Sequence, residues 1–122
     1  MLLAEIVTLL GCTELLAVDL AGGPDISSCF AADLMSEVLA FCGHGPLLVT
    51  GLTNVQSVHT AEVVDARAIL YVNDKRPDAP VLALALARGL PLLSTTLDMY
   101  ETCGRLHRSG LPASRKHPLS TS

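Results

Sequence analysis

From Leu47 to Arg108 the chain repeats one pattern three times: a short apolar run, a polar loop, then a segment of helical length. The runs are Leu47–Thr50, Ala68–Val72 and Leu90–Leu93. The segments that follow cover Asn54 to about Asp65, Asp78 to Arg88, and about Leu97 to Arg108. Each run is apolar at successive positions instead of alternating, so both of its faces need cover. Strand–helix units in series pack as parallel strands joined by right-handed crossovers. The expected fold class is therefore α/β: a single domain, its sheet mostly parallel, with helices on both faces.

Punctuation agrees with this reading. Pro80 sits in the first turn of the second helical segment and Gly89 follows its end, and Gly110 closes the third. "VLALALA" (Val81–Ala87) also alternates with period two and so admits a strand. Its Ala and Leu content and its helix-end residues favour helix. Upstream, Leu2–Leu10 reads as a helix with Gly11 as its left-handed cap. "ELLAV" (Glu14–Val18) and "SCFA" (Ser28–Ala31) read as strands. The carboxylate of Asp33 is placed to cap a helix over Leu34–Phe41. Asn54 suits the N-cap of the next helix, and Thr95 with Asp98 has capping-box spacing for the last. Residues 1–110 form the expected domain, and 111–122, rich in Ser, Pro and bases, a disordered basic tail.

Charge is uneven. Residues 1–104 carry all 12 acids and four bases, a net of −8, whereas 105–122 carry four bases and no acid, a net of +4. An acidic body with only Phe30, Phe41, Tyr71 and Tyr100 as aromatics has few platforms for stacking bases, so nucleic acid is not an expected partner. No apolar run approaches the roughly 20 residues of a membrane span, and Glu5 interrupts the apolar start, so no signal peptide or membrane association is expected. A cytoplasmic location is the expectation. Cys12, Cys29, Cys42 and Cys103 include no C-x-x-C pair and read as reduced, packed thiols. Cys103 with His107 and Cys42 with His44 each offer two metal ligands, but nothing supplies the other two, and no metal is expected. His59 and Glu62 are spaced for an i,i+3 contact on a solvated helix face.

Parallel strands gather ligands beyond their C-terminal ends. Three loops belong there: Gly51–Asn54, Asn73–Asp78 and Ser94–Thr96. Each enters a helix N-terminus, where free N–H groups and the helix dipole favour an anion. Thr50, Thr53, Asn54, Ser94, Thr95 and Thr96 are placed to bind a phosphate or carboxylate, or else only to cap their own helices. No G-x-x-x-x-G-K-[ST] loop is present, and "GHG" (Gly43–Gly45) runs into Pro46 instead of completing G-x-G-x-x-G. No Ser or Cys stands in a nucleophile elbow. No catalytic residue and no cofactor are expected.

"AADLMSEVLAF" (Ala31–Phe41), "LLVTGLTNVQSVHTAEVVDARAILYVND" (Leu47–Asp74) and "ALARGLPLLSTTLDMYETCGRL" (Ala85–Leu106) together resemble the DRTGG domain, in order and over roughly Leu3 to Leu111. The string Asp-Arg-Thr-Gly-Gly itself is missing, and "GGPDISS" (Gly22–Ser28) stands in its neighbourhood. The resemblance implies the fold of the N-terminal domain of HPr kinase/phosphorylase. It implies an accessory, dimer-forming regulatory role, as in modules of CBS-domain pyrophosphatases and phosphotransacetylases and in stand-alone proteins encoded near iron-only hydrogenases. By position, Asp33 and Ser36 match the family's "D-L-x-S" helix start, and Thr50 and Asn54 its "T…N" loop.

The expected function is a non-catalytic regulatory or assembly module that works as a homodimer, with a partner enzyme such as an iron-only hydrogenase. A second reading is a sensor of a nucleotide or other anion. Tentative ligand-binding residues are Asp33, Ser36, Thr50, Thr53, Asn54, Ser94 and Thr95. The homodimer expectation rests on Val81–Ala87, which as a helix is apolar all round and needs cover on the side away from the sheet.

Overall fold

The computed structural model describes residues 1–16 and 23–117. The elements in chain order are α1 (Leu3–Leu10), β1 (Thr13–Glu14), β2 (Cys29–Ala31), α2 (Met35–Phe41), β3 (Leu47–Thr50), α3 (Val55–Val63), β4 (Ala68–Tyr71), α4 (Ala79–Ala87), β5 (Leu92–Ser94) and α5 (Met99–Arg108). Five strands form one sheet in the order β1-β5-β4-β3-β2. All neighbours run parallel except β1, which lies antiparallel to β5 with Thr13 opposite Ser94.

From β2 to β5 each strand is laid on the same side of its predecessor. Right-handed crossovers then place α2, α3 and α4 on one face of the sheet. Their Met35, Val38, Val58, Ala61, Val81 and Ala85 pack on Leu48, Ile69, Tyr71 and Leu92. The residues between those point the other way: Leu47, Val49, Ala68, Leu70 and Leu93 meet Leu3, Ile6 and Leu10 of α1 and Leu106 of α5. Every residue of β3, β4 and β5 is buried, as apolar runs without alternation require.

"VLALALA" is helical. Pro80 lies in the first turn, Gly89 takes the left-handed conformation (φ 65°), and the buried pair Val81 and Ala85 shows the i,i+4 spacing of a helix on a sheet. β5 opens at Leu92, two residues later than the sequence suggests. Leu90 N–H still closes α4 by bonding Ala85 O, and Pro91 has no N–H to give. Strand Glu14–Val18 is observed as Thr13–Glu14, and its last two residues lie outside the described ones. Among the described residues no helix is long and apolar enough to cross a membrane.

Residues 111–117, expected above as the start of a disordered tail, are instead strapped to the open edge of β2. Cys29 N–H donates to Pro112 O (2.9 Å) and Ser114 N–H to Cys29 O (2.8 Å), a parallel bridge centred on Ala113. Leu111 is buried in the α1/α5 core, and Lys116 N–H donates to Phe41 O at the end of α2. Edge pairing and one buried leucine outweigh the Ser/Pro composition. Residues 118–122 lie outside the described ones.

Gly43 is pressed against this strap. A Cβ there would stand 2.8 Å from Arg115 O and 2.9 Å from Ser114 Oγ. Gly43→Ala is therefore expected to cost about 1–3 kcal/mol, the range for overpacking, and to open the segment to trypsin. Thermal melting and limited proteolysis check this, and an unchanged variant would mean the strap is not held.

Candidate functional site

The C-terminal edge of the parallel strands is where α2, α3, α4 and α5 begin, and the structure brings the three expected loops to it. The loop after β3 is the best organised. Asp33 does not cap α2, whose N-cap is Leu34 with no side-chain bond. Its carboxylate crosses to the next strand, accepting from Gly51 N–H at 2.7 Å and from Thr50 Oγ1–H at 3.3 Å. Register decides this: β2 and β3 pair in parallel with Ala31 opposite Val49, so Asp33 leaves its strand beside Gly51. Thr50 Oγ1 in turn accepts from Leu52 N–H (3.1 Å). Asn54 caps α3 as expected, its Oδ1 accepting from Gln56 N–H. Thr53 is half-buried in the same loop, and Ser36 is exposed on the first turn of α2.

The loop after β5 is used for structure. Thr95 does not cap α5. Its Oγ1–H donates to Leu10 O at 2.9 Å, fastening the end of α1 to the sheet, and it accepts from Leu97 N–H. Asp98 is the cap, accepting from Glu101 N–H at 2.8 Å. Ser94 Oγ is buried with no partner among the described residues, as is Thr102 Oγ1. Below the edge, Tyr71 OH and Ser57 Oγ form a buried bond of 2.9 Å.

Lys75, which sequence reasoning missed, completes the edge together with Gly51. In the loop after β4, Asn73 (φ 59°) and Asp74 (φ 56°) are successive left-handed residues without being glycine. Such conformations cost on the order of 1 kcal/mol each and persist only where the surroundings hold them. Here Asn73 N–H donates to Leu97 O (2.8 Å) and Asp74 N–H to Thr95 O (2.7 Å). The bent loop carries Lys75 back over Gly51. A Cβ on Gly51 would lie 3.3 Å from both Lys75 Nζ and Asp33 Oδ1, so the missing side chain is what lets an ammonium and a carboxylate flank the same backbone. Lys75 is the one lysine before residue 105, and it lies in a loop already assigned to this edge. That was the available signal. The edge can therefore offer a cation and an anion side by side to a polar ligand.

The other chemical groups lie elsewhere. His59 Nδ1 is 4.0 Å from Glu62 Oε1 on an exposed face of α3. A cavity of about 590 Å³ opens at the opposite end of the sheet, between the C-termini of α3 and α4. Arg67 lines it, Arg88 lies 3.4 Å from Glu62, and Asp65 lies 2.8 Å from the His44 imidazole beside it. No three His, Cys, Asp or Glu residues gather for a metal among the described residues. Burial raises the pKa of all four thiols and pushes Cys12 and Cys29 up to about 12. At pH 7 such a thiol is thiolate in only about one molecule in 10⁵, too few for a nucleophile.

The sign of the linkage follows. A thiol whose folded pKa is raised favours the folded state fully below its ordinary value of about 9, and this contribution is lost as pH climbs from there toward about 12. Stability is expected to hold through neutral pH and to fall above about pH 9, less steeply in the Cys12→Ala, Cys29→Ala double variant. Melting curves across pH test this, and a slope unaffected by the substitutions would refute it.

No protein-family model matches the chain, and none of the curated proteins matches it in sequence. Among solved structures, the crystal structure of the CBS and DRTGG domains of the regulatory region of Clostridium perfringens pyrophosphatase, complexed with its activator diadenosine tetraphosphate, superposes with a TM-score of 0.71. The identity is 13%, and the match covers 97% of this chain and 52% of that one, so this chain spans about half the length of that regulatory region. The fold is DRTGG-like.

Proposed function

We propose that this DRTGG-like chain is a regulatory module without a reaction of its own, acting as a homodimer on a partner enzyme. The observation that carries this reading is the fold likeness itself, a TM-score of 0.71 over 97% of the chain to a regulatory region. The chemistry agrees with it. The hydroxyls of Thr50 and Thr95 are engaged in holding loops, Ser94 is buried, and the thiols are protonated. A redox enzyme such as an iron-only hydrogenase belongs to the same proposal through the sequence resemblance, and co-purification from a native host tests it.

Dimerisation is supported by α4. Only Val81 and Ala85 of this helix are buried, while Leu82 and Leu84 are half-buried and Leu86 is 56% exposed. A second copy meeting this helix would cover that face. Light scattering is expected to give a dimer for the full chain, and Leu86→Glu, at an exposed position, is expected to give a folded monomer. A wild-type monomer at micromolar concentration would overturn this part.

The edge beyond β3 and β4 favours a second reading, a nucleotide sensor. Lys75 suits a phosphate, Asp33 the hydroxyls of a ribose, and Gly51 leaves room for both. The superposed regulatory region has a nucleotide activator. A ligand that binds only the folded state raises its melting temperature. Diadenosine tetraphosphate or ATP is expected to stabilise the wild type, and Lys75→Ala and Gly51→Leu to abolish the shift. No shift at saturating nucleotide in the wild type refutes the sensor and leaves the dimer standing.

A further inference from the structure

The C-terminal ends of α2 and α3 carry three large apolar side chains that the fold does not cover: Leu39 is 40% exposed, Phe41 62% and Val63 72%. Between these helices lies a cavity of about 360 Å³ whose walls include Leu39, Val63, Val64 and His44, with Arg115 and Lys116 of the strap on its border. The strap is fixed there by two bonds from one residue. Lys116 N–H donates to Phe41 O at 2.8 Å, and Lys116 Nζ to Leu39 O at 2.9 Å. The pairing of Ala113 with β2 thus delivers part of the chain's net positive segment to the rim of its exposed apolar cluster.

We propose that this cavity and its basic rim form a docking surface for an acidic protein segment bearing an apolar anchor residue, distinct from the α4 face assigned above to the dimer. Charge selects this occupant. Residues 1–104 are net −8, so a body that repels acidic partners presents here an apolar hollow bordered by two cations, Arg115 and Lys116. A second copy set face to face would bring Arg115 and Lys116 against themselves, which like charge disfavours. A concave site suits a side chain entering between two helices better than it suits a flat bilayer, and the acidic body opposes approach to anionic lipid.

The probe is a fluorescent synthetic helix with glutamates on one face and leucines on the other, titrated with the full-length chain by anisotropy. Binding is expected at low salt and should weaken as salt rises. Arg115→Glu, and separately Phe41→Ser with Val63→Ser, should each weaken it about tenfold or more with melting temperatures held, since these side chains are exposed. Leu86→Glu should leave it unchanged. The proposal fails if the peptide does not bind or if the same helix with lysines for glutamates binds equally. It also fails if phosphatidylserine vesicles bind in place of the peptide, or if Phe41→Ser with Val63→Ser dissociates a dimer, which would seat a second copy there.

Discussion

The structure depends on one constraint: β3, β4 and β5 are buried on both faces, while the crossovers that join them can cover only one. Winding from β2 to β5 in one direction spends α2, α3 and α4 on the same side. The opposite side, with Leu47, Val49, Ala68, Leu70 and Leu93, must be closed by the two ends of the chain, α1 and α5. The ends are tied down accordingly. Thr95 holds the last turn of α1 through Leu10 O, and Leu111 carries the chain from α5 into the same core. Removing either terminal helix would expose strand surface that nothing else in the described chain covers.

The same constraint shapes the candidate site. One-directional winding gathers four helix starts at one edge of the sheet, a place suited to anions in general. In this chain several donors there are already engaged. Asp33 holds Gly51 N–H, Asn54 holds Gln56 N–H and Asp98 holds Glu101 N–H. The chemistry left over belongs to Lys75, presented by two left-handed residues, and to the gap above Gly51. What the edge presents is a cation beside a carboxylate over open backbone, an arrangement suited to holding a polar ligand.

Much of the fold was legible in the sequence because its signals are local. Apolar runs marked β3 and β4, Asn54 marked the start of α3, and Pro80 with Gly89 bounded α4 against the competing two-residue alternation. The site was legible only as a set of loops. Asp33 and Thr95 each stand shortly before a helix in sequence, with the spacing of caps, yet both carry their bonds across the fold, to β3 and to α1. The nearness of Lys75 to Gly51 has no local signature, since it arises from the pairing of β3 with β4 and from the bend at Asn73 and Asp74. The strap has the Ser-, Pro- and base-rich composition of a tail, and its order comes from the unpaired edge of β2.

The sequence by itself determined which segments are strands and which are helices, and hence the class of fold, since those choices follow from side chains a few residues apart. Tertiary structure alone decided which polar groups are engaged and which are left to act. Hydrogen bonds and close approaches between residues 17 to 85 positions apart depend on strand register and loop bend, and no local pattern encodes them.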